Sequence, residues 1–309
     1  MNQSESSIPR SVTLIEACIL APTGITILVS SVLVLIVVGR TSKLHTIPGL
    51  LIACLSFADA ITAVGDCLFS AVALIQTTQF IPDWACHIQL LVVNYIVPVQ
   101  SGIIMISAID RCGAIVFPLE YRTRPTAVNT LAVCLLMIVL SYNLPTYLAV
   151  IFLSVNQLYI VELSACVVDI QSMIVMQILP VVHYVLDFGF PAVIIVICYV
   201  LIGKRVRPAG NQQNRSLLEQ IKICKMLFII TALYIASFLP MLCYLMLVYN
   251  FQLANENYMV YKAIRWLRYL NGLSDGIIFY SMSRSFQTGC RSLFRKEQKK
   301  LVTVTSTTV

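Results

Sequence analysis

The sequence predicts an all-α membrane protein, a bundle of seven transmembrane helices followed by an amphipathic eighth helix. Of its 309 residues, 59% are hydrophobic and only 11% are charged, whereas soluble domains carry about 25% charged residues. Seven stretches are long and apolar enough to cross the hydrocarbon core as helices, which takes about 20 residues. Basic residues gather in alternate loops between these stretches.

The seven predicted spans follow one another through mostly short loops. From the N-terminus they are Ile15–Gly39, Pro48–Leu74, Ile88–Ile109, Val128–Phe152, Met176–Ile202, Ile221–Val248 and Tyr258–Ser281. The second, fifth and seventh are the least uniformly apolar, and each contains acidic or basic residues. Because a charge facing lipid is costly, such residues usually face the protein interior. We therefore expect these three helices to line the inside of the bundle.

Lys and Arg are distributed unevenly between the two sets of loops, and this predicts the orientation. One set, with the segment after the seventh span, holds fourteen basic residues, whereas the other set and the N-terminus hold two. The positive-inside rule therefore predicts that residues 1–14 are extracellular and residues 297–309 form a cytoplasmic tail. The net charge of +7 then belongs to the inner membrane face and does not indicate nucleic acid. Asn2 begins a glycosylation sequon on the exported side.

After the seventh span the pattern becomes amphipathic over residues 282–296. Four apolar side chains recur at helical spacing between basic residues, namely Phe286, Cys290, Leu293 and Phe294. Such a segment lies along an anionic membrane surface, and Cys290 is placed there for reversible palmitoylation. Because no internal repeat divides the chain, we expect one domain over residues 1–309, with the seven-helix bundle over residues 15–281.

Short motifs occupy characteristic positions in the predicted spans. Cys86 opens the third span and Asp110-Arg111-Cys112 closes it. The others, in chain order, are Leu55-Ser56-Phe57-Ala58-Asp59, Pro191 with Tyr199, Phe238-Leu239-Pro240 and Asp275-Gly276-Ile277-Ile278-Phe279. In order, spacing and sidedness this set resembles rhodopsin-like G-protein-coupled receptors. Departures such as Cys112 in the triplet mark a divergent member, similar to the nematode chemoreceptors of the Srsx type.

The resemblance implies a disulfide and an activation switch. The disulfide joins Cys86 to Cys166, which lies in the second outer loop. In the resting state of such receptors Arg111 pairs with Asp110 and with an acid on the sixth helix, and activation frees it to contact a G protein. The remaining switch positions that the family implies are Tyr199, Phe238, Pro240, Asp275 and Phe279. Gln220 stands where the acid of the sixth helix is expected, which leaves the second half of this lock open.

The resemblance also places a polar pocket near the middle of the membrane. By family position Gln100, Asn271 and Asp275 converge on Asp59, and the family implies a site for sodium and water there. Two neighbouring carboxyl groups favour either a bound cation or one shared proton. The sequence leaves both occupants open.

A third group of positions matches the family's ligand cavity. It comprises Asp66, Val93, His183, Asp187, Arg265, Arg268 and Tyr269. Val93 stands where amine receptors carry an Asp, which argues against an amine ligand. Arginines at this site would clamp an acidic or carboxyl-bearing ligand. Alternatively, Arg268 pairs internally with Asp66 or Asp187, while Lys262 and Arg265 extend to the outer interface.

Taken together, these features predict a plasma-membrane receptor with a chemosensory role and no enzymatic activity. Its expected partners are an extracellular small molecule or peptide, a heterotrimeric G protein and membrane lipid, without nucleic acid. We expect no cofactor apart from the sodium ion considered above. A neuropeptide receptor of the same fold is the alternative, and a transporter or channel is the competing class.

Overall fold

The computed structural model describes residues 9–76, 81–123, 156–160, 164–169, 185–206, 215–245, 247 and 258–293. Its helices are α1 (Arg10–Arg40), α2 (Ile47–Ile75), α3 (residues 83–116), α4 (Pro118–Thr123), α5 (Val185–Val206), α6 (Arg215–Leu245), α7 (Tyr258–Met282) and α8 (residues 284–293). A 3₁₀ turn, Ser42–Leu44, joins α1 to α2. The strands β1 (Asn156–Ile160) and β2 (Ala165–Asp169) form an antiparallel hairpin.

The described helices confirm an all-α membrane bundle. Six of the predicted spans coincide with helices, and the fourth, Val128–Phe152, lies outside the described residues together with the start of the fifth. Among the described residues, five helices are long and apolar enough to cross a membrane, namely α1, α2, the inner part of α3, α5 and α6. α7 is as long but carries four charged residues, as expected of a helix that faces the interior.

Local signals explain where α2 begins. The Thr46 side chain accepts a hydrogen bond from the backbone N–H of Gly49 at 3.4 Å, which satisfies a free donor of the first turn. Pro48 lies within that turn, where its missing N–H costs nothing. A proline inside a helix has the opposite effect. Pro240 interrupts the hydrogen bonds of α6 in this way.

Three π-helical segments occur in α2, α3 and α5, two of them inside their helices and the third at the first described residues of α5. They are Ala63–Leu68, Val92–Ile96 and Val185–Gly189. A π segment adds one residue to a turn and is frequent at functional sites. Each of the three carries one of the predicted ligand-cavity positions, Asp66, Val93 or Asp187.

The packing sorts side chains between a common core and the lipid. The largest apolar cluster joins α1, α2, α3, α5, α6, α7 and α8. Outward-facing apolar side chains include Val29, 62% exposed, and Ile277, 69% exposed, and hydrocarbon covers such a surface in a membrane. α7 approaches α1 closely at Gly276, where an added Cβ would lie 2.9 Å from the Cβ of Ser30. This contact accounts for a glycine after Asp275.

α8 confirms the amphipathic segment that the sequence predicts, although its apolar face is buried. Phe286, Cys290 and Leu293 pack into the main core. Gly289 sits so close to the end of α1 that an added Cβ would lie 2.7 Å from the Thr41 hydroxyl. The thiol of Cys290, 2% exposed, therefore faces the protein in this conformation. That geometry does not favour its palmitoylation, because an acyl chain has to reach the lipid.

Candidate ligand site and intracellular switch

A disulfide fixes the hairpin to the N-terminal end of α3. Cys86 and Cys166 are bonded, with their Cα atoms 5.5 Å apart, as the family resemblance implies. The backbone N–H of Cys166 also donates to Oε1 of Gln89 at 2.8 Å. Because Gln89 lies one turn below Cys86, the bridge and the hydrogen bond together hold the hairpin over the helix bundle. The hairpin thus forms a roof.

Beneath this roof, Asp66 is the centre of a buried polar cluster. Arg265 and Arg268 of α7 both form ion pairs with its carboxylate. Tyr269 donates a hydrogen bond to Oδ2 at 3.0 Å, and Nε2 of Gln89 donates to Oδ1 at 3.1 Å. A fully buried carboxylate is stable only when its charge and its acceptor sites are matched in this way. The buried carboxylate of Asp66 is therefore fully paired only when α3 and α7 both pack against α2.

A second chain of contacts ties α7 to the roof and to α1. Nη1 of Arg265 donates to the carbonyl oxygen of Ser164 at 2.6 Å. The Ser164 hydroxyl donates to Glu16 of α1 at 2.8 Å, and Nζ of Lys262 donates to the same carboxylate at 2.6 Å. Ser164 has a positive φ of 52°, which turns the hairpin so that its serine faces Glu16 and Arg265.

The two arginines of α7 differ in how completely they are paired. Arg265 binds Asp66, the Ser164 carbonyl and the hydroxyl of Ser70, the last at 2.9 Å. Arg268 binds Asp66 through Nη2 and lies over the ring of Tyr269, 5.7 Å from its centroid. The buried Nε of Arg268 has no acceptor among the described residues. Arg268 is thus the arginine with a donor to spare.

Apart from the cluster around Asp66, aromatic rings pack between α5 and α6. Phe238 stacks on Phe188 with centroids 4.8 Å apart and contacts Tyr234 at 4.4 Å. Asp187 is buried beside this group. Val93 is half-buried on α3 and offers no charge. His183 lies outside the described residues.

Deeper in the bundle, Asp59 and Asp275 face each other. Nε2 of Gln100 donates to Oδ1 of Asp59 at 2.8 Å, and the two carboxyl groups are within hydrogen-bonding reach of each other. Among the described residues, neither oxygen of Asp275 nor Oδ1 of Asn271 accepts a hydrogen bond from a protein donor. The carboxylate and amide oxygens gathered here suit a hard cation, and a proton shared by the two carboxyl groups suits them equally.

A small cavity lies beside this acidic pair. Its volume is about 20 Å³, enough for one water molecule. Asp59, Gln100 and Asn271 line it from below, and Arg268 and Phe238 from above. Asp59 of the acidic pair, Arg268 and the switch position Phe238 thus share one void.

At the C-terminal end of α3, side chains from α3, α4 and α6 form a cluster around Arg111. It pairs with the adjacent Asp110 and donates from Nη1 to Oε1 of Gln220 on α6 at 2.5 Å. The hydroxyl of Tyr121, on α4, donates to the other oxygen of Asp110 at 2.5 Å. Burial, followed by this hydrogen bond, raises the pKa of Tyr121 to about 12, so its hydroxyl keeps its proton and remains a donor.

The remaining switch positions lie along α5, α6 and α7. Tyr199 packs edge-on against Phe228, with centroids 5.0 Å apart. Phe279 is almost fully buried in the main core. Pro240 lies two residues beyond Phe238 in α6. The structure therefore brings Asp110, Arg111 and Gln220 into one cluster and leaves Phe238 and Phe279 at separate levels of the bundle.

Comparison with known proteins decides the family. Residues 30–279 match the family described as 7 transmembrane receptor (rhodopsin family). The chain belongs to this family.

The receptor also shares its fold with a solved structure, squid rhodopsin. The two superimpose with a TM-score of 0.77 at 15% sequence identity, over 94% of this chain and 87% of the other. Such a low identity is evidence for the fold alone. The family consists of receptors, which agrees with the expectation that the chain is not an enzyme.

Two curated relatives are receptors for peptides by name. The tachykinin-like peptides receptor 86C of Drosophila melanogaster is 23% identical over 266 residues, which are 82% of this chain and 53% of that receptor. The neuropeptide FF receptor 2 of Rattus norvegicus is 24% identical over 306 residues, 89% of this chain and 71% of that receptor. The receptor described here spans about half the length of the Drosophila relative.

The structure corrects one part of the alternative interpretation of α7. Arg268 pairs with Asp66, as that interpretation expects, but the expectation that Lys262 and Arg265 extend to the outer interface is wrong. Both side chains are buried, because Glu16 and Asp66 offer them carboxylates inside the bundle. A single acid in an otherwise apolar first span was the available signal for Glu16. Tyr121 was also missed, since a loop tyrosine has no distinctive pattern.

Proposed function

We propose that this receptor binds an extracellular ligand with an acidic group and in response activates a heterotrimeric G protein. The observation that carries the proposal is the incomplete pairing of Arg268, which shares one carboxylate with Arg265 and has a buried Nε with no acceptor in the part of the chain that the structure describes. A ligand carboxylate at Arg268 would gain a charge-assisted hydrogen bond, the strong kind. The receptor needs no additional positive charge to bind such a ligand, because Arg268 already supplies one.

The shared cavity supports a route from the ligand to the rest of the bundle. Arg268 lines the same void as Phe238 and Asp59. A ligand that moves Arg268 therefore changes the surroundings of the aromatic cluster on α6 and of the acidic pair. A ligand shifts the receptor's equilibrium only as far as its affinities for the two states differ. On the cytoplasmic side, release of Arg111 from Asp110 and Gln220 would expose it to the G protein.

Two resemblances to known receptors favour different chemical classes of ligand. The similarity to nematode chemoreceptors of the Srsx type supports a small acidic chemical signal and a chemosensory role. The names of the two curated relatives favour the second candidate, a neuropeptide, whose terminal carboxylate or acidic side chains offer the same chemistry. Screening acidic and neutral pools of both kinds against cells that express the receptor tests both, with the Arg111→Ala variant as the non-signalling control.

Arg268→Gln tests the ligand-contacting role directly. It removes the charge and the spare donor, and we expect binding of an acidic agonist to weaken by roughly tenfold to a hundredfold, in the range of one lost charge-assisted hydrogen bond. Neutral agonists, or the amidated form of the same agonist, should lose little. The measurement is the half-maximal agonist concentration for nucleotide exchange.

Arg265→Gln is the matched control for that experiment. The guanidinium of Arg265 donates hydrogen bonds to the Ser164 carbonyl in the roof, to Asp66 and to Ser70. Its loss should therefore lower the amount of folded receptor, and the response to every ligand should fall alike. Equal losses for acidic and neutral agonists in Arg268→Gln would contradict the proposed contact and make Arg268 a structural residue as well.

We also propose a plasma-membrane location with the N-terminus outside and the C-terminus in the cytoplasm. The fourteen-to-two distribution of basic residues supports this orientation. An epitope added at the N-terminus should be stained on intact cells, and one at the C-terminus only after permeabilisation. A reporter expressed mainly in non-neuronal tissue would count against the chemosensory role.

Finally, we propose that one occupant neutralises the Asp59–Asp275 pair, either a sodium ion or a shared proton. Oxygens of Asp275 and Asn271 that meet no donor within the described ranges support an occupant of this kind. Asp59, Gln100, Asn271 and Asp275 would hold the ion, which would balance their charge and screen one carboxylate from the other. Sodium dependence of agonist binding distinguishes the two occupants.

A further inference from the structure

A large groove opens between α5 and α6, on the outer surface of the bundle. Its volume is about 770 Å³, within the roughly 300–1,000 Å³ of typical ligand pockets. It extends along α5 from Ile195 to Lys204, about 14 Å at the rise of an α-helix. It lies apart from the polar cluster around Asp66.

Small residues keep this groove open. Gly203, Ala232 and Ala236 line it, and an added Cβ on Gly203 would meet no atom of the described residues within 4 Å. The larger wall residues are apolar and partly exposed, among them Val200 and Phe228, each about half exposed. The walls of an empty apolar groove lack van der Waals contacts on one side. In a bilayer, the material next to this groove is the acyl chains of lipids.

The end of the groove towards the C-terminus of α5 is basic. Lys204 lines this end, and Arg205 follows it on the exposed surface. In the proposed orientation this end lies at the cytoplasmic leaflet, which carries the anionic lipids that attract basic residues. Apolar walls below a basic rim match the two parts of a phospholipid, its acyl chain and its phosphate-bearing headgroup.

We propose that the groove binds one anionic glycerophospholipid of the cytoplasmic leaflet. An acyl chain lies between α5 and α6, and the headgroup contacts Lys204. The switch residue Tyr199 and its partner Phe228 form part of the wall, so the lipid touches both helices at the level of the switch. A lipid that fits this spacing of α5 and α6 stabilises the conformation described here against any other. The headgroup assignment rests on the proposed orientation.

The test measures lipid retained by the purified full-length receptor. The receptor is reconstituted in vesicles of phosphatidylcholine and phosphatidylserine, extracted under mild conditions and weighed by native mass spectrometry. We expect one phosphatidylserine to remain on the wild type. Gly203→Leu fills the groove and should lose it. Gly39→Leu, at the end of α1, is the matched control because an added Cβ there also meets no atom within 4 Å, and it should keep the lipid.

Lys204→Gln tests the headgroup contact separately. We expect its preference for phosphatidylserine over phosphatidylcholine to fall about fivefold, the attraction of one basic residue to an anionic leaflet, while one lipid still binds. Retention of phosphatidylserine by Gly203→Leu, or its loss from Gly39→Leu, would overturn the site. An unchanged preference in Lys204→Gln would overturn the anionic headgroup.

The lipid measurement is independent of the proposed function. It uses no agonist and no G protein, so a receptor that fails to signal still reports whether the groove holds a lipid. If the N-terminal epitope proves to be intracellular, the orientation fails, and with it the assignment to the cytoplasmic leaflet, whereas the effect of Gly203→Leu is unaffected.

Discussion

At the scale of single residues, Asp66 has the most consequential surroundings. It is a fully buried acid that balances two arginines and accepts further hydrogen bonds from Tyr269 and Gln89. Breaking a buried ion pair from one side leaves the other charge without compensation. The same residue therefore contributes to both the stability of the outer bundle and the position of Arg268.

Asp66→Asn should destabilise the receptor strongly. The substitution keeps the shape and removes the negative charge, so two buried guanidinium groups lose their counter-charge, at a cost of about 3–5 kcal/mol. The measurement is the thermal unfolding midpoint of the purified receptor. Glu16→Gln is the comparison, since it deprives one lysine instead of two arginines, and it should cost less. A smaller loss for Asp66→Asn than for Glu16→Gln would contradict the central role of Asp66.

Tyr121→Phe should raise signalling without agonist. The change removes one hydrogen bond to the Asp110 carboxylate, a bond to a charged group worth about 1.5–3 kcal/mol. Asp110 then holds Arg111 less firmly. Basal nucleotide exchange measured in membranes should rise severalfold, up to the receptor's agonist-stimulated rate. Tyr280→Phe, on an exposed tyrosine of α7, should leave basal exchange unchanged, and a rise there would point to a general loosening instead.

At the scale of elements, the hairpin of β1 and β2 depends on contacts far from it in sequence. Its bridge to α3 spans 80 residues, and Ser164 at its turn reaches both α1 and α7. A two-stranded hairpin alone is marginally stable in water. The bridge and the serine thus hold the hairpin in place over the polar cluster around Asp66.

Cys166→Ser should release this roof. Loss of a native disulfide typically costs about 2–5 kcal/mol, and the register that sets Ser164 against Glu16 would be lost with it. We expect agonist binding to disappear or to weaken by at least an order of magnitude. Cys243→Ser, which changes an exposed free cysteine, controls for the loss of a thiol. Unchanged agonist binding in Cys166→Ser would show that the roof is not needed.

The spans, the disulfide and the Asp110–Arg111 pair were predictable because their signals are local or belong to a family pattern. Apolar runs define helices, and adjacent residues at a helix end meet without any knowledge of the fold. By contrast, Lys262 and Glu16 are separated by 246 residues, and each alone resembles a charge near a membrane boundary. Their pairing depends on how α1 packs against α7, which no local pattern encodes. The π segments likewise leave no clear mark on hydrophobic periodicity.

At the scale of the whole molecule, the polar cluster around Asp66, the acidic pair and the cluster around Arg111 lie at successive levels of one bundle. The cavity of about 20 Å³ touches the first two and borders Phe238. Arg111 lies at the far end of α3 from Gln89. Between these levels lies the main core, in which Phe279 is packed with residues of α3, α6 and the other helices.

Replacing sodium chloride by choline chloride at equal ionic strength tests the occupant of the acidic pair. If sodium occupies it in the resting state, removal of sodium should raise agonist affinity severalfold, because an ion bound to one state stabilises that state. Asp59→Asn should abolish the dependence. Equal affinity in the two salts would exclude the ion and leave the shared proton as the occupant.

The π segments of α2 and α3 divide these two helices into halves with separate registers. Each holds one residue more than an α-helical turn, and each residue turns an α-helix by about 100°. Deleting a single residue within Ala63–Leu68 would therefore rotate the outer part of α2, replacing the side chain that faces Arg268, while Asp59 below keeps its place. Related receptors can consequently change the residues that meet a ligand by inserting or deleting single residues as well as by substitution. The switch residues keep their positions when this happens.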